Sequence, residues 1–511
     1  MLAVFLMMRD LPMVDLPQHA AQIAIWLNFG NPEYHADQFV LNFRTPYLLA
    51  YLVARLLAIG VGVMISLKLV IWLAVVGQVL GLHFLCKRLG HDPWLALLGL
   101  PLGLGYTFLF GFVSYIVALP LLYLCVGLAA GYAARPSLAA GAMLVTTLMA
   151  VLVSHGFAFA QTLLFVGPLL MFGKGSIGAR SLPLLLPISA AAAWLMPSQA
   201  AARLGVDLWE PGLGRLVSLP GILVGSGVKD IDAGLYGLLL LLLLGLTFGP
   251  LVRSLGRTLP GVFIVLGFCA FPEVYRGYPL LWPRFAMLLV PAMLLAFRPR
   301  TEVGRLVAFG RQATMLAAVA VWVLLFALRA SEFNRDTSHF HEIVDTLPSG
   351  LRVRPIVFDP ESHAFPDLPV FTHLPAYYFV AKGGTQGYSF AMYPTSVIRY
   401  RDGTVPKMRA GEEWAPEAFR IEAELRDYDC FIVHSKHDRY HELFGLSNGA
   451  VELRDHAGDW SSYCVRKVTV TAPATVKVEV ERHTATGALR SPTARDSFAM
   501  VQPRQAPEIA P

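Results

Sequence analysis

The chain is 511 residues long, 55% hydrophobic and only 15% charged, with a mean hydropathy of +0.55, whereas about a quarter of an ordinary soluble domain is charged. That balance excludes a soluble enzyme and describes a polytopic membrane protein, so the placement of its formal +6 charge matters more than the size. Five cysteines without a CxxC pair exclude a zinc ribbon or a disulfide scaffold, and no motif for nucleic-acid binding is present.

Leu2–Met8 is apolar but too short to cross a bilayer, which takes about 20 residues, and lacks the basic start of a signal peptide. It reads as a first helix cut short by the chosen start, or as that helix's outer end. Next comes Arg9-Asp10-Leu11-Pro12-Met13-Val14-Asp15-Leu16-Pro17-Gln18-His19, rich in polar groups for this half of the chain. After Pro17, Ala21, Ile25 and Leu27 alternate with Gln18, Gln22 and Asn28, as in a helix lying along a membrane with one apolar face. Thr45–Ile59 reads as a second surface or re-entrant helix, with a span as the alternative. Spans are expected at Ile65–Cys86, Pro93–Phe110, Phe112–Tyr132, Leu138–Val153, Phe157–Phe172 and Leu182–Met196. A polar loop, Pro197–Asp232, separates these from Leu235–Leu251, Leu259–Phe271, Leu280–Phe297 and Ala313–Leu328.

Charge orders these spans. One set of alternate connections carries Lys87, Arg88, Arg135, Lys174, Arg180, Arg253, Arg257, Arg298 and Arg300. The opposite set is short at Gly111 and His155, and its longer loops mix acids with bases, so the first set is cytoplasmic by the positive-inside rule. The opening acidic stretch, Pro197–Asp232, Phe271–Pro279 and the carboxyl-terminal third then lie together outside.

From Ser331 the composition is that of a soluble domain. Arg352–Phe358 and Tyr428–His434 read as buried strands, Pro416–Arg426 as an acidic amphipathic helix, and Ala450–Arg454 with Ser461–Lys467 as a hairpin around Gly458-Asp459. Cys430 and Cys464 are able to pair there if this part is extracytoplasmic. The chain thus divides into a membrane domain at 1–330, an α/β domain at 331–469 and a disordered tail at 470–511. The fold class is a polytopic α-helical membrane protein of about 10–11 spans with a small extracytoplasmic α/β domain.

Ionisable groups among spans are costly unless used or paired. Asp10 and Asp15 offer a general base or a metal ligand, with solvating a loop and capping a helix as the plainer alternative. His19 follows Asp15 by one helical turn. His155 sits at an outer tip between spans, where a capping role is the competing reading. Glu273 and Arg276 share a short outer loop, and Arg284 enters the next span. A guanidinium at headgroup depth suits a phosphate because it stays charged and donates in a fork; its alternative is an interfacial anchor. The charges of Asp207–Glu210 and Lys229–Asp232 read as a lid or as solvated surface. His434, His437 and His441 have a loose metal-ligand spacing.

Three motifs resemble the GT-C superfamily of integral-membrane glycosyltransferases, which includes protein O-mannosyltransferases and the lipid A aminoarabinose transferase. They are Pro12-Met13-Val14-Asp15-Leu16-Pro17-Gln18-His19, Thr45–Leu52 with Arg55 and the following Ile65–Arg88 span, and Trp282-Pro283-Arg284-Phe285 running on to Pro291. The resemblance covers about residues 1–328 and leaves the outer domain as a variable appendage. It implies a GT-C-like fold in the bacterial cytoplasmic membrane and a polyprenyl-phosphate-linked sugar as donor. The acceptor would be an envelope glycan, lipid or protein. By the same resemblance Asp15 (or Asp10) is the base, Arg284 with Arg276 holds the departing phosphate, and His19, His155 and Glu273 help to bind substrate. Many members carry two adjacent acids where this chain has Asp15-Leu16, which leaves a divalent cation undecided. The rival functions are a transporter or flippase and a non-catalytic envelope-assembly protein. Midplane charges and inverted repeats would mark a transporter, and neither is seen.

Overall fold

The computed structural model describes residues 2–173, 176–199, 208–225, 233–275, 278–300, 304–406, 408 and 411–466. Most of these residues are helical. Four helical stretches, Val63–Leu89, Val113–Ala134, Ile177–Trp194 and Arg305–Thr346, are long and apolar enough to cross a membrane, and shorter apolar helices pack around them. This is a membrane protein.

Several helices differ from expectation for local reasons. Pro93–Leu109 is not one span but a 3-10 stretch at Pro93–Leu98, a turn at Gly99–Gly103 and another at Tyr106–Leu109. Its glycines permit a closer approach than side chains would: a Cβ at Gly99 would lie 2.9 Å from the Val79 backbone. The expected polar loop contains a helix, Arg215–Val224, whose Ile222, Leu223 and Val224 are buried and which packs on Ala233–Gly245. The charges at Asp207 and Lys229–Asp232 lie outside the described residues. The last expected span but one starts as a 3-10 segment, Trp282–Leu288, with Pro283 in its first turn, before Leu289–Ala296 continues as α-helix.

The Leu16–Leu27 helix is buried all round from Leu16 to Trp26, and does not lie along a membrane on one apolar face. Its polar side instead grips the carboxyl-terminal part. Gln18 Oε1 accepts from the Phe390 N–H at 3.3 Å, and Gln22 Oε1 accepts from the Ile398 N–H at 2.8 Å. Strand Phe39–Leu41 pairs antiparallel with Ile398–Tyr400 beside these contacts.

The carboxyl-terminal sheet has the spatial order Val451–Ala457, Trp460–Val465, Cys430–His434, Arg352–Val357, Thr385–Gln386. The first two strands form the expected hairpin, and the last three run parallel. Cys430 and Cys464 face each other in register and are bonded. The expected Pro416–Arg426 helix is broken into a 3-10 turn at Pro416–Ala418 and one α-turn at Ile421–Glu424. His434 is a buried strand residue, its Nδ1 2.7 Å from the Asp359 carbonyl, whereas His441 lies on the Tyr440–Phe444 helix.

One hydrophobic core joins the two halves of the molecule. It contains Ile23 and Ala24 from the Leu16–Leu27 helix, Phe326 and Phe333 from the last long helix, and Phe371, Ile432 and Trp460 from the sheet region. A second core fills the helical bundle. The carboxyl-terminal part is therefore continuous with the membrane part by packing as well as by hydrogen bonds.

Candidate active site

A cavity of about 460 Å³ opens where the helix ends meet the carboxyl-terminal part. Asp15 reaches it because a neighbouring turn fixes its backbone. The Val14 N–H donates to the Leu109 carbonyl at 2.9 Å and the Asp15 N–H to the Phe110 carbonyl at 3.2 Å. Gly111 closes that turn at φ +82°, and a Cβ there would stand 2.7 Å from the Asp15 nitrogen, so only glycine fits. Asp15 occupies the N-cap position of its helix, yet its carboxylate caps no helix amide. It faces the cavity, where His373 Nδ1 lies 3.0 Å from Oδ1.

His19 lines the same cavity, but both of its nitrogens are engaged. Nε2 is 3.0 Å from the Gly111 carbonyl and Nδ1 2.5 Å from the Tyr51 hydroxyl. A carbonyl only accepts, so the ring proton sits on Nε2, and Nδ1 accepts a hydrogen bond from the tyrosine hydroxyl. Burial pushes the imidazole down from 6.5 to about 4, outweighing the attraction of nearby Asp15. His19 is a neutral strut that ties the glycine turn to the Asp15 helix.

The membrane part supplies the opposite chemistry. The Arg284 guanidinium is buried, with Cζ 4.0 Å from the centre of the Phe112 ring. Its nitrogens contact only carbonyls and a ring: Nε donates to the Leu280 carbonyl at 3.2 Å, Nη2 to the Pro279 carbonyl at 3.4 Å, and Nη1 lies 3.4 Å from His155 Nε2. Among the described residues no carboxylate lies within 4.0 Å of it. Leu280, at φ +58°, holds a left-handed conformation unusual for an apolar side chain, and its carbonyl accepts from Arg284 Nε.

His155 sharpens this picture. Its Nδ1 accepts from the Ala158 N–H at 3.2 Å and so caps the Gly156–Met171 helix. An accepting Nδ1 leaves the proton of a neutral ring on Nε2, the nitrogen beside Arg284. Two donors, one of them a cation, therefore converge with no acceptor between them. The capping and the binding readings of His155 are compatible.

The carboxyl-terminal part contributes His373, Tyr388, Tyr393, Thr395, Glu413 and Trp414 to the lining. None of these was singled out in the sequence. Glu413 Oε2 accepts from the Gly411 N–H at 2.7 Å, while burial still pushes its carboxyl above the usual range. The tyrosine run Tyr388…Tyr393-Pro394 and the Glu412-Glu413-Trp414 triplet were the available signals, but without the fold nothing ties them to residue 15.

The remaining candidates lie elsewhere. Asp10 is outside the cavity: its Oδ2 accepts from the Thr337 hydroxyl at 2.8 Å and lies 2.7 Å from His341 Nε2. Its backbone exchanges two hydrogen bonds with the Asn334 side chain. It clamps the end of the last long helix. Glu273 accepts from the Trp282 indole N–H and does not line the cavity. Arg276 lies outside the described residues. Among the described residues no group of three or more His, Cys, Asp or Glu is arranged to hold a metal ion.

Fold and site together define an integral-membrane protein whose cavity, at one end of the helices, is lined by both a carboxylate and a buried guanidinium. No protein-family model and no curated protein matches the sequence. Among solved structures, the chain is similar to the crystal structure of ArnT from Cupriavidus metallidurans bound to undecaprenyl phosphate. The alignment covers 92% of this chain and 97% of that one, at TM-score 0.51 and 10% identity. The likeness shows a shared fold along nearly the whole of both chains. The mycobacterial arabinofuranosyltransferase AftD aligns over 90% of this chain and 40% of its own, at TM-score 0.43 and 12% identity, too loosely to inform the fold.

Proposed function

We propose that the protein is a membrane glycosyltransferase that moves a sugar from a polyprenyl-phosphate donor to a cell-envelope acceptor. The observation that carries this reading is the juxtaposition in one cavity of a carboxylate that caps no helix amide, Asp15, and a buried guanidinium without a carboxylate partner among the described residues, Arg284. A buried cation that no protein acid neutralises is matched by an anionic ligand. The fold likeness to a protein crystallised with undecaprenyl phosphate makes a lipid phosphate the natural candidate.

In this mechanism Asp15 takes the proton from the acceptor hydroxyl as its oxygen bonds to the anomeric carbon. The bond from that carbon to the phosphate oxygen breaks, and its electron pair leaves with the polyprenyl phosphate. Arg284 and the His155 Nε2–H stabilise the growing negative charge through charge-assisted hydrogen bonds. Displacement from the opposite face inverts the anomeric centre.

The proposal includes topology. The basic residues Lys87, Arg88, Arg135, Arg257, Arg298 and Arg300 lie at or beside helix ends remote in the chain from the cavity-lining turns. By the positive-inside rule that end faces the cytoplasm. The cavity and the 331–469 domain then face outward from a bacterial cytoplasmic membrane, as a donor with an outward sugar requires; residues 470–511, read as a tail, lie outside the described residues.

The test compares envelope glycans by mass spectrometry in cells with the gene, without it, and with Asp15→Asn in its place. One sugar increment should vanish in both altered strains. Full transfer by a folded Asp15→Asn protein, or an uptake defect in place of a glycan defect, would overturn the assignment.

A further inference from the structure

The Asp15 carboxylate is held by a residue 358 positions away, in the part of the chain that the sequence presents as an appendage. His373 is only 3% exposed, and its ring is fixed on three sides. It stacks on Tyr388 at 5.2 Å and 13°, and meets the edges of Phe390 at 5.7 Å and Trp414 at 5.6 Å. The helix that begins after Asp15 grips the backbone carrying two of those rings: Gln18 Nε2 donates to the Tyr388 carbonyl at 3.4 Å while its Oε1 accepts from the Phe390 N–H. The aromatic seat and the carboxylate are therefore registered to each other by the same turn of helix.

The polar chemistry of His373 has one target. Nδ1 lies 3.0 Å from Asp15 Oδ1, and Nε2 is buried without a hydrogen-bond partner among the described residues. An unsatisfied buried nitrogen is unfavourable, so a ring used merely to close the interface would be better replaced by an apolar one.

We propose that His373 is the positioning residue for Asp15, so that the carboxyl-terminal domain completes the transferase site. This rests on the reading of Asp15 as the acceptor base. The Nδ1–H bond to Oδ1 fixes the carboxylate torsion and leaves Oδ2 to the acceptor hydroxyl. During transfer the acceptor proton moves to Oδ2 as the carbon–oxygen bond forms and the sugar–phosphate bond breaks. Oδ1 keeps its hydrogen bond, and His373 neither gains nor loses a proton.

The experiment uses the full chain in membranes of a deletion strain, which supply their own donor lipid, with the initial rate of glycan formation as readout. Binding of undecaprenyl phosphate to the purified protein is the second readout, and a melting curve checks folding. His373→Leu removes the donor, whereas His373→Asn returns an amide N–H close to the place of Nδ1. The Leu variant should lose about 30-fold in rate, within the range for loss of an orienting partner, with phosphate binding within about twofold of wild type. The Asn variant should recover most of the rate. Wild-type rate in a folded His373→Leu protein overturns the proposal, and so does an Asn variant no better than Leu, because ring packing would then be the cause. Wild-type rate in Asp15→Asn identifies the parent reading as the failure.

Discussion

The cavity and the rest of the interior treat the same side chains in opposite ways. Arg354, buried in the carboxyl-terminal sheet, is 2.7 Å from Glu424 and 3.9 Å from Glu412; Arg284, buried at the cavity, meets no acid within 4.0 Å among the described residues. Asp10 gives its Oδ2 to Thr337 and His341 away from the cavity and keeps a buried Oδ1 without a partner among the described residues, whereas Asp15, five residues on, holds one histidine and faces the cavity. A charge enclosed by protein groups serves the fold, and one that faces a cavity can meet a ligand. Type, burial and neighbourhood in sequence do not separate these pairs; partners and access to the cavity together do.

Substitution at the two aspartates tests that contrast most severely. Asp15→Asn should cut glycan transfer by about 10²–10⁴-fold, the usual worth of a general base, with the melting curve nearly unchanged. Asp10→Asn should leave the rate of the folded protein within a few-fold. If the two variants lose activity equally, partners and cavity access are the wrong criterion. Arg284→Ala should follow, at about 10²–10³-fold in rate and with weaker binding of undecaprenyl phosphate. Arg284→Lys should recover only part, because an ammonium lacks the planar fork.

How far the sequence reaches is clearest at these residues. Asp15, His19, His155 and Arg284 could be picked out because few ionisable groups occur in so apolar a chain, and because each stands at a helix end. Their separate fates could not. His19 and Asp15 look alike as candidates, yet a carbonyl and a tyrosine consume the former. His373, Glu413 and Trp414 were invisible because proximity across some 360 residues has no local signature. Periodicity failed where contacts override it. The polar side of Leu16–Leu27, suited to headgroups, meets the Phe390 and Ile398 amides instead, and the glycines of Pro93–Leu109 break a run whose apolar composition resembles a span.

The committed partners predict stability effects in place of kinetic ones. Asp10→Ala strips the carboxylate from Thr337 and His341 and should destabilise the protein by about 3 kcal/mol, read from denaturation in detergent. His19 belongs to the same class although it lines the cavity. Burial favours its neutral form, so the unfolded chain binds more protons between about 6.5 and 4, and stability falls as pH drops through that window. The whole effect amounts to at most about 3 kcal/mol. His19→Gln should flatten the wild-type fall in melting temperature over that window, and equal slopes would remove His19 from this class.

Glu413 gives the finest distinction. It faces the cavity, but its carboxyl is pushed up by burial, with His373 and the Gly411 N–H opposing that effect only in part. For an acid raised in the folded state the sign runs opposite to that of a salt-bridged carboxylate. The folded protein holds the proton more tightly than the unfolded chain, so ionisation costs stability as pH rises past the ordinary carboxyl range. Glu413→Gln should therefore raise the melting temperature slightly near pH 7, and the gain should fade in acid, where both states of the wild type are protonated. A loss at neutral pH would mean that its neighbours satisfy the carboxylate; a gain would mean that the fold leaves it uncompensated.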